Sequence, residues 1–331
     1  MTVLVTGATG FIGAALVRAL RADDEDVRAL VRPGTDGRAL EAGGAAIVRG
    51  DIADAAAVRA AADACDVVYN LAVPPRLAHA GVMEAVNVTG ARNAATAAAA
   101  TGARLVHAST VGVYGPLVAL PAAEDHPTRP ERPYPRSKLA GERAVAEVAR
   151  DGAASVAVAR IGLVYGPGNR HGVGTFPRSF GPLTPLVGGG RHLVDMVYVD
   201  DVVEGLRACA ARADPGVATY NLTGGAPVPV REVLAAIAAA GGRRLRPVPL
   251  PRAPFAAAEA VSRRVLWPRG IDSRLQHRVA RAPRSQAFTI DRAAQDLGYR
   301  PAVGLREGIT RTLAWYANAG PDRPAMTRRS G

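Results

Sequence analysis

An α/β fold, with a doubly wound parallel sheet and a smaller C-terminal lobe, is the class this amino-acid sequence predicts. Three observations carry the prediction. Strand and helix signals alternate through the first half of the 331 residues, and a glycine turn joins the first strand to the first helix. After about Gly166 the alternation gives way to Gly/Pro-rich stretches and shorter elements.

Val3–Thr6 is a short apolar run and reads as the first strand. The turn Gly7-Ala8-Thr9-Gly10-Phe11-Ile12-Gly13 follows, and helical spacing then continues to about Arg21. Val27–Val31 reads as the second strand and Ala46–Val48 as a weaker third. A helical stretch covers about Ala55–Ala64, before a fourth strand at Val67–Asn70. One long Ala-rich helix is expected over roughly Gly81–Ala100, then a strand at Leu105–Ala108. A Pro-rich loop spans Pro116–Pro133, a helix about Tyr134–Arg150, and a strand Ser155–Arg160. Residues 1–165 are expected to form a dinucleotide-binding domain of the Rossmann type, and 166–331 mostly a substrate-binding lobe. About 197–222 is expected to return to the first domain. Pro254–Trp267 reads as a helix that packs plainly, lies on the surface, or forms an amphipathic lid over an apolar site.

Composition narrows the function classes. The chain is 48% apolar with 21% charged residues, enough to bury a large core without disulfides or metals. Its two cysteines, Cys65 and Cys209, exclude a disulfide framework or a cysteine zinc cluster. The first residues form a strand rather than a signal peptide, and the Ala-rich runs are too interrupted for a membrane span; a cytoplasmic protein is expected. Residues 1–242 balance 23 basic against 23 acidic side chains, whereas Arg243–Gly331 holds 18 arginines against 6 acids. No nucleic-acid motif accompanies that excess, so no nucleic-acid partner is expected. No His or Cys spacing suggests a metal. Of the 41 basic residues 40 are arginine, and the single lysine is Lys138. An ammonium is a compact point charge and a guanidinium a planar fork, so the exception marks a position with its own requirement.

Gly7, Gly10 and Gly13 occupy the strand-to-helix turn of a βαβ unit, the context in which glycines let a pyrophosphate approach backbone N–H groups at a helix N-terminus. Where an NAD site usually offers an acid to the ribose hydroxyls, this chain has Val31-Arg32-Pro33-Gly34, and Arg32 can grip a 2′-phosphate. NADP(H) is therefore favoured, with NAD(H) kept as the alternative. Asp51-Ile52 follows the third strand at the place where a carboxylate meets the adenine, and Leu71-Ala72 ends the fourth strand beside the cofactor cleft. Tyr134 and Lys138 are four apart on a predicted helix and share a face. The ammonium is expected to lower the phenol's pKa, giving a proton donor and acceptor near neutrality.

Together, TGATGFIG, His107–Gly115 (HASTVGVYG), Tyr134-Pro135-Arg136-Ser137-Lys138, Arg160–Gly168 (RIGLVYGPG) and Val197-Tyr198-Val199-Asp200-Asp201 resemble the extended short-chain dehydrogenases/reductases. The resemblance runs from Thr2 to about Ala317. It implies Thr110 as the catalytic hydroxyl, with Ser109 as fallback, beside Tyr134 and Lys138. It also implies that Thr9, Phe11, Ile12 and Ile161 join the cofactor site, and it matches Asn87 to a helix asparagine near the active site. Val194 stands where nucleotide-sugar enzymes place an arginine, and Val111-Gly112 where sugar 4,6-dehydratases have Asp-Glu. Leu193–Val203 and the tail from Ser285 to Tyr316 look instead like the 3β-hydroxysteroid-dehydrogenase-like branch.

The activity expected on that resemblance is an NAD(P)-dependent interconversion of a secondary alcohol and a ketone, on a small, apolar substrate. The rivals are a nucleotide-sugar epimerase/dehydratase with tightly bound NAD and a non-catalytic NADP-sensing regulator. A homodimer is left open.

Overall fold

The computed structural model describes residues 1–75, 78–150, 154–169, 184–212, 214–266 and 284–318. Seven parallel strands form the central sheet: β1 (Thr2–Thr6), β2 (Asp26–Val31), β3 (Ala46–Arg49), β4 (Val67–Asn70), β5 (Arg104–Thr110), β6 (Ser155–Ile161) and β11 (Gly216–Leu222). They lie in the order β11-β6-β5-β4-β1-β2-β3. Strand order reverses between β1 and β4, and ligands of such sheets bind at the strand C-termini beside that switch point. Both faces are covered. On one, Val3, Val5, Val106, Ala157 and Ala159 pack with helices α1 (Phe11–Ala22) and α7 (Val199–Ala211). On the other, Leu4, Val68, Leu105, Val156 and Val158 meet α3 (Ala55–Ala62), α5 (Gly90–Thr101) and α6 (Pro133–Arg150). Strands buried on both faces read as continuous apolar runs, which is why the sequence shows them as such.

Several elements differ from the sequence expectation. A five-residue helix α2 (Arg38–Ala42) fills the link between β2 and β3, too short for a periodic signal. The single Ala-rich helix is realised as α4 (Ala80–Glu84), a π turn at Ala85–Thr89, and α5. A π turn changes the register of a helix face, and alanine-rich sequence does not mark where that happens. Strand β5 runs on to Thr110 rather than stopping at Ala108, because Ser109 and Thr110 pair with Arg160 and Ile161 of β6.

Beyond the sheet, β7 (Leu163–Tyr165) pairs with β10 (Met196–Tyr198). β8 (Thr184–Val187) pairs with β13 (Pro247–Leu250), and β9 (Leu193–Val194) with β12 (Val228–Pro229). Helices α8 (Val230–Ala240), α9 (Ala253–Val261), α10 (Asp291–Leu297) and α11 (Leu305–Asn318) complete the described chain. In the stretch from Pro254, α9 and the π turn after it bury Glu259 and Ser262 and leave Val261 and Val265 exposed. Arg284 holds Glu259 at 2.8 Å. Trp267, the end of that stretch, lies outside the described residues.

Candidate active site

The turn after β1 is shaped by close backbone approach. Gly7 has φ +67°, and a Cβ there would lie 2.5 Å from Leu71 O. A Cβ on Gly13 would lie 2.3 Å from Gly7 O, whereas one on Gly10 would be 3.1 Å from the same oxygen. Gly10 N donates to Gly7 O at 2.9 Å and begins α1 with no side-chain cap. The first N–H groups of α1 therefore stand uncovered at the positive end of the helix, with exposed Thr9 and partly buried Phe11 and Ile12 around them. That cradle fits the pyrophosphate of a dinucleotide.

The remaining cofactor candidates ring the same strand ends. Leu71 is buried with its carbonyl against Gly7, and Ala72 N donates to Thr6 Oγ1 at 3.3 Å. Asp51 Oδ1 accepts from Ala53 N at 2.9 Å, so the carboxylate also braces its own turn. Ile52 and Ile161 are buried. Arg32 is exposed at the end of β2, and its guanidinium makes no ion pair among the described residues. Arg49 fastens the loop that follows by donating to Thr35 O at 2.7 Å, and Arg38 pairs with Asp36 at 2.8 Å.

Helix α6 docks its first turns over the end of β5. Lys138 is 1% exposed, and its Nζ donates to Ala108 O at 2.8 Å. Burial holds the ammonium pKa down at about 8, with the Glu142 carboxylate pulling it upward. Tyr134, partly buried one turn earlier, has its phenol pushed up to about 12 by burial. The phenol is thus raised rather than lowered as expected: Lys138 donates to Ala108 O, and desolvation governs Tyr134. Thr110 is partly exposed, and its Oγ1 accepts from Gly112 N at 3.1 Å. A Cβ on Gly112 would sit 3.4 Å from Thr110 Oγ1 and 3.2 Å from Pro135 Cγ, so Gly112 is the spacer between this hydroxyl and the first turn of α6.

Ser109 is withdrawn from the cleft. Its buried hydroxyl donates to Glu142 Oε1, and Glu142 also takes two bonds from Arg160, at 3.2 Å to Oε1 and 2.8 Å to Oε2. Of the two adjacent hydroxyls, Thr110 is the one left facing outward. Glu142 and Arg160 were not among the residues expected in the site. The signal for Glu142 was its place four residues after Lys138 on the same helix face. A second buried chain crosses three strands: Thr6 Oγ1 donates to Asn70 Oδ1 at 2.9 Å, and Asn70 Nδ2 donates to His107 Nδ1 at 3.1 Å. Burial and the nearby Lys138 charge hold His107 neutral, with its pKa down at about 3. Asn87, buried in the π turn, donates from Nδ2 to Ser137 Oγ at 2.8 Å, beside but not into the Tyr134–Lys138 face.

Known proteins share this fold. Residues 3–223 match the model of the NAD dependent epimerase/dehydratase family. A dTDP-glucose 4,6-dehydratase of Streptomyces griseus is 33% identical, over 95% of this chain and 93% of its own. The 4-hydroxy-2-methyl-3-oxo-4-farnesyl-3,4-dihydroquinoline-1-oxide ketoreductase of Stigmatella aurantiaca is 29% identical, over 93% and 95%. The solved structure of MoeE5 in complex with UDP-glucose and NAD superposes with a TM-score of 0.75 at 29% identity, covering 96% of this chain and 99% of that one.

Proposed function

The chain belongs to the NAD-dependent epimerase/dehydratase family, and from that premise we propose that it is an NADP(H)-preferring ketoreductase acting on a small apolar substrate. One observation carries the choice within the family. Val194 lies in β9, paired with Val228 and packed against the main core, where nucleotide-sugar enzymes of this resemblance present an arginine to the diphosphate. An apolar side chain there removes the charge-assisted contact that anchors such substrates. Val111 and Gly112, after Thr110, supply no acid for eliminating water, and Val111 is buried. The Stigmatella relative is itself named for a ketoreductase activity on a farnesyl-bearing molecule.

In the reduction direction a bound nicotinamide would supply the hydride for the carbonyl carbon. Thr110 donates a hydrogen bond to the carbonyl oxygen, and Tyr134 delivers its phenolic proton to that oxygen as negative charge develops. Lys138 has three donors; one is used on Ala108 O, and the other two would hold the ribose of a bound nicotinamide nucleotide. Arg32 takes the 2′-phosphate, on the loop that Arg49 fastens. Gly7, Thr9, Gly10, Phe11, Ile12, Gly13, Asp51, Ile52, Leu71, Ala72 and Ile161 line the rest of the cofactor site, and most of 166–331 outside about 197–222 forms the substrate lobe.

The second reading, a nucleotide-sugar epimerase or dehydratase with tightly held NAD, has the Streptomyces griseus relative in its favour. The two part in a direct assay. Apolar ketones should consume NADPH absorbance stoichiometrically, while UDP- and dTDP-glucose bind weakly. Conversion of either sugar nucleotide without net change in nicotinamide absorbance would establish the second reading.

A further inference from the structure

Helix α9 is reversed for a surface helix, which ordinarily turns its apolar side chains to the core and its polar ones to water. Its inward positions are the partly buried Phe255, Glu259 and, in the π turn that follows, Ser262; Glu259 is 5% and Ser262 8% exposed. The outward positions Ala253, Pro254, Ala256, Ala257, Ala258 and Val261 are all exposed, with Val261 at 59%. At 3.6 residues per turn these six sweep roughly 200° of the helix surface, an arc without a polar side chain. Val265, 43% exposed in the π turn, extends it. The inward carboxylate has its partner within the fold, since Arg284 holds Glu259 at 2.8 Å and also reaches Glu131 at 3.3 Å. The outward arc faces solvent.

Positive charge flanks that arc. Between Arg243 and Val265 the sequence holds six arginines and one acid, and the acid is the buried Glu259. Arg243, Arg244 and Arg246 are exposed just ahead of β13, the strand that leads into α9. Arg252, which precedes the first turn of α9, and Arg264, beyond its last, are exposed as well. A Cβ on Gly188 would lie 2.8 Å from Arg252 Cδ, and one on Gly189 would lie 3.9 Å from Nε of the exposed Arg191, so these two cations share one turn. Cations at a helix N-terminus oppose the macrodipole, and helix stability therefore does not account for arginine at that end. An apolar arc between guanidinium groups is complementary to hydrocarbon lying under anionic headgroups.

We propose that the outward face of α9 docks the protein onto a lipid bilayer bearing anionic headgroups, with Ala257 and Val261 entering the boundary between headgroups and acyl chains and the arginines resting on lipid phosphates. Among the described residues no helix is long and apolar enough to cross a membrane, so the helix lies on the surface rather than spanning it. A second copy of the chain fits less well, because a twofold contact through α9 would bring the arginines of both copies together. An acidic protein would match the arginines and leave the apolar arc without a partner. The docking does not depend on the ketoreductase reading, although it would bring such an enzyme to where apolar ketones dissolve.

Both native cysteines are buried, so Val261→Cys can be labelled alone with an environment-sensitive fluorophore, and Ala56→Cys, exposed on α3, serves as the control. The full chain is mixed with vesicles of phosphatidylcholine alone, or of one part phosphatidylglycerol to three of phosphatidylcholine. Flotation should be at least tenfold greater with the anionic vesicles. On them the Val261→Cys label should shift to the blue and lose at least half its intensity to lipids brominated on the acyl chains, while the Ala56→Cys label does neither. Unlabelled Ala257→Asp/Val261→Asp should float at least tenfold less than wild type with an unchanged melting midpoint; should that variant unfold, the two labelled proteins still decide. Absence of flotation on anionic vesicles would overturn the proposal. So would flotation without quenching at Val261→Cys, which would assign the binding to arginines elsewhere on a chain of net charge +12. A Val261→Cys label that shifts with protein concentration in the absence of lipid would also overturn it, by giving the face to a second copy. No step reads turnover, so failure of the ketoreductase reading shows separately, in the assay with ketones and sugar nucleotides.

Discussion

Lys138 is buried as a charge, and that has a consequence for stability opposite to the one expected for activity. Replacing it by Met keeps the length and apolar stem and removes the ammonium. The distance between its ordinary pKa of 10.5 and about 8 in the fold corresponds to a burial cost of about 3 kcal/mol. Against this, Ala108 O loses its donor at 2.8 Å, at a cost of about 1–2 kcal/mol. Lys138→Met should therefore be more stable than wild type at pH 7, by about 1–2 kcal/mol. The sign changes with pH. Below about 8 the lysine is protonated in both native and unfolded chains, and the full cost is present. Between about 8 and 10.5 the unfolded chain binds a proton the native chain has released, so wild-type stability rises with pH relative to the variant. By pH 10.5 only the lost hydrogen bond remains, and wild type should be the more stable. Urea unfolding of both proteins at pH 7 and pH 10.5 checks this, and the stabilised variant should be almost inactive at both. A variant destabilised equally at the two pH values would refute the argument, since the ammonium would then carry no burial cost.

Tyr134→Phe keeps the ring and removes the proposed proton, so turnover should fall by about 10²–10⁴-fold while cofactor affinity, read by fluorescence titration, barely moves; near-normal turnover would place the proton donor elsewhere. Arg32→Ala should erase most of an NADPH-over-NADH binding preference of roughly 1–3 kcal/mol, and equal affinities in the wild type would remove the basis for it. Gly13→Ala forces a methyl to within 2.3 Å of Gly7 O and should weaken dinucleotide binding at least tenfold, with destabilisation of about 1–3 kcal/mol in a melting experiment. Gly10→Ala, at 3.1 Å and with φ −77°, should be several-fold milder; equal damage from the two would mean that contact distance does not rank these glycines.

Legibility followed the range of the forces involved. The turn at Gly7–Gly13 and the Tyr134–Lys138 pair were readable because their logic is local: a tight strand-to-helix connection demands glycine, and a four-residue spacing on a helix puts two side chains on one face. The lone lysine among 40 arginines pointed to the same helix by composition alone. By itself the sequence determined the alternating α/β pattern and the glycine turn after the first strand, each encoded within a few residues. Only the tertiary structure showed where the two adjacent hydroxyls go, by pairing β5 with β6 to its last residue and turning the Ser109 hydroxyl onto Glu142. It likewise reversed the expected effect on the phenol. Spacing tells that an ammonium and a phenol are near, but burial and the direction of the Lys138 N–H bonds set their energies, and both come from strands and helices distant in the chain.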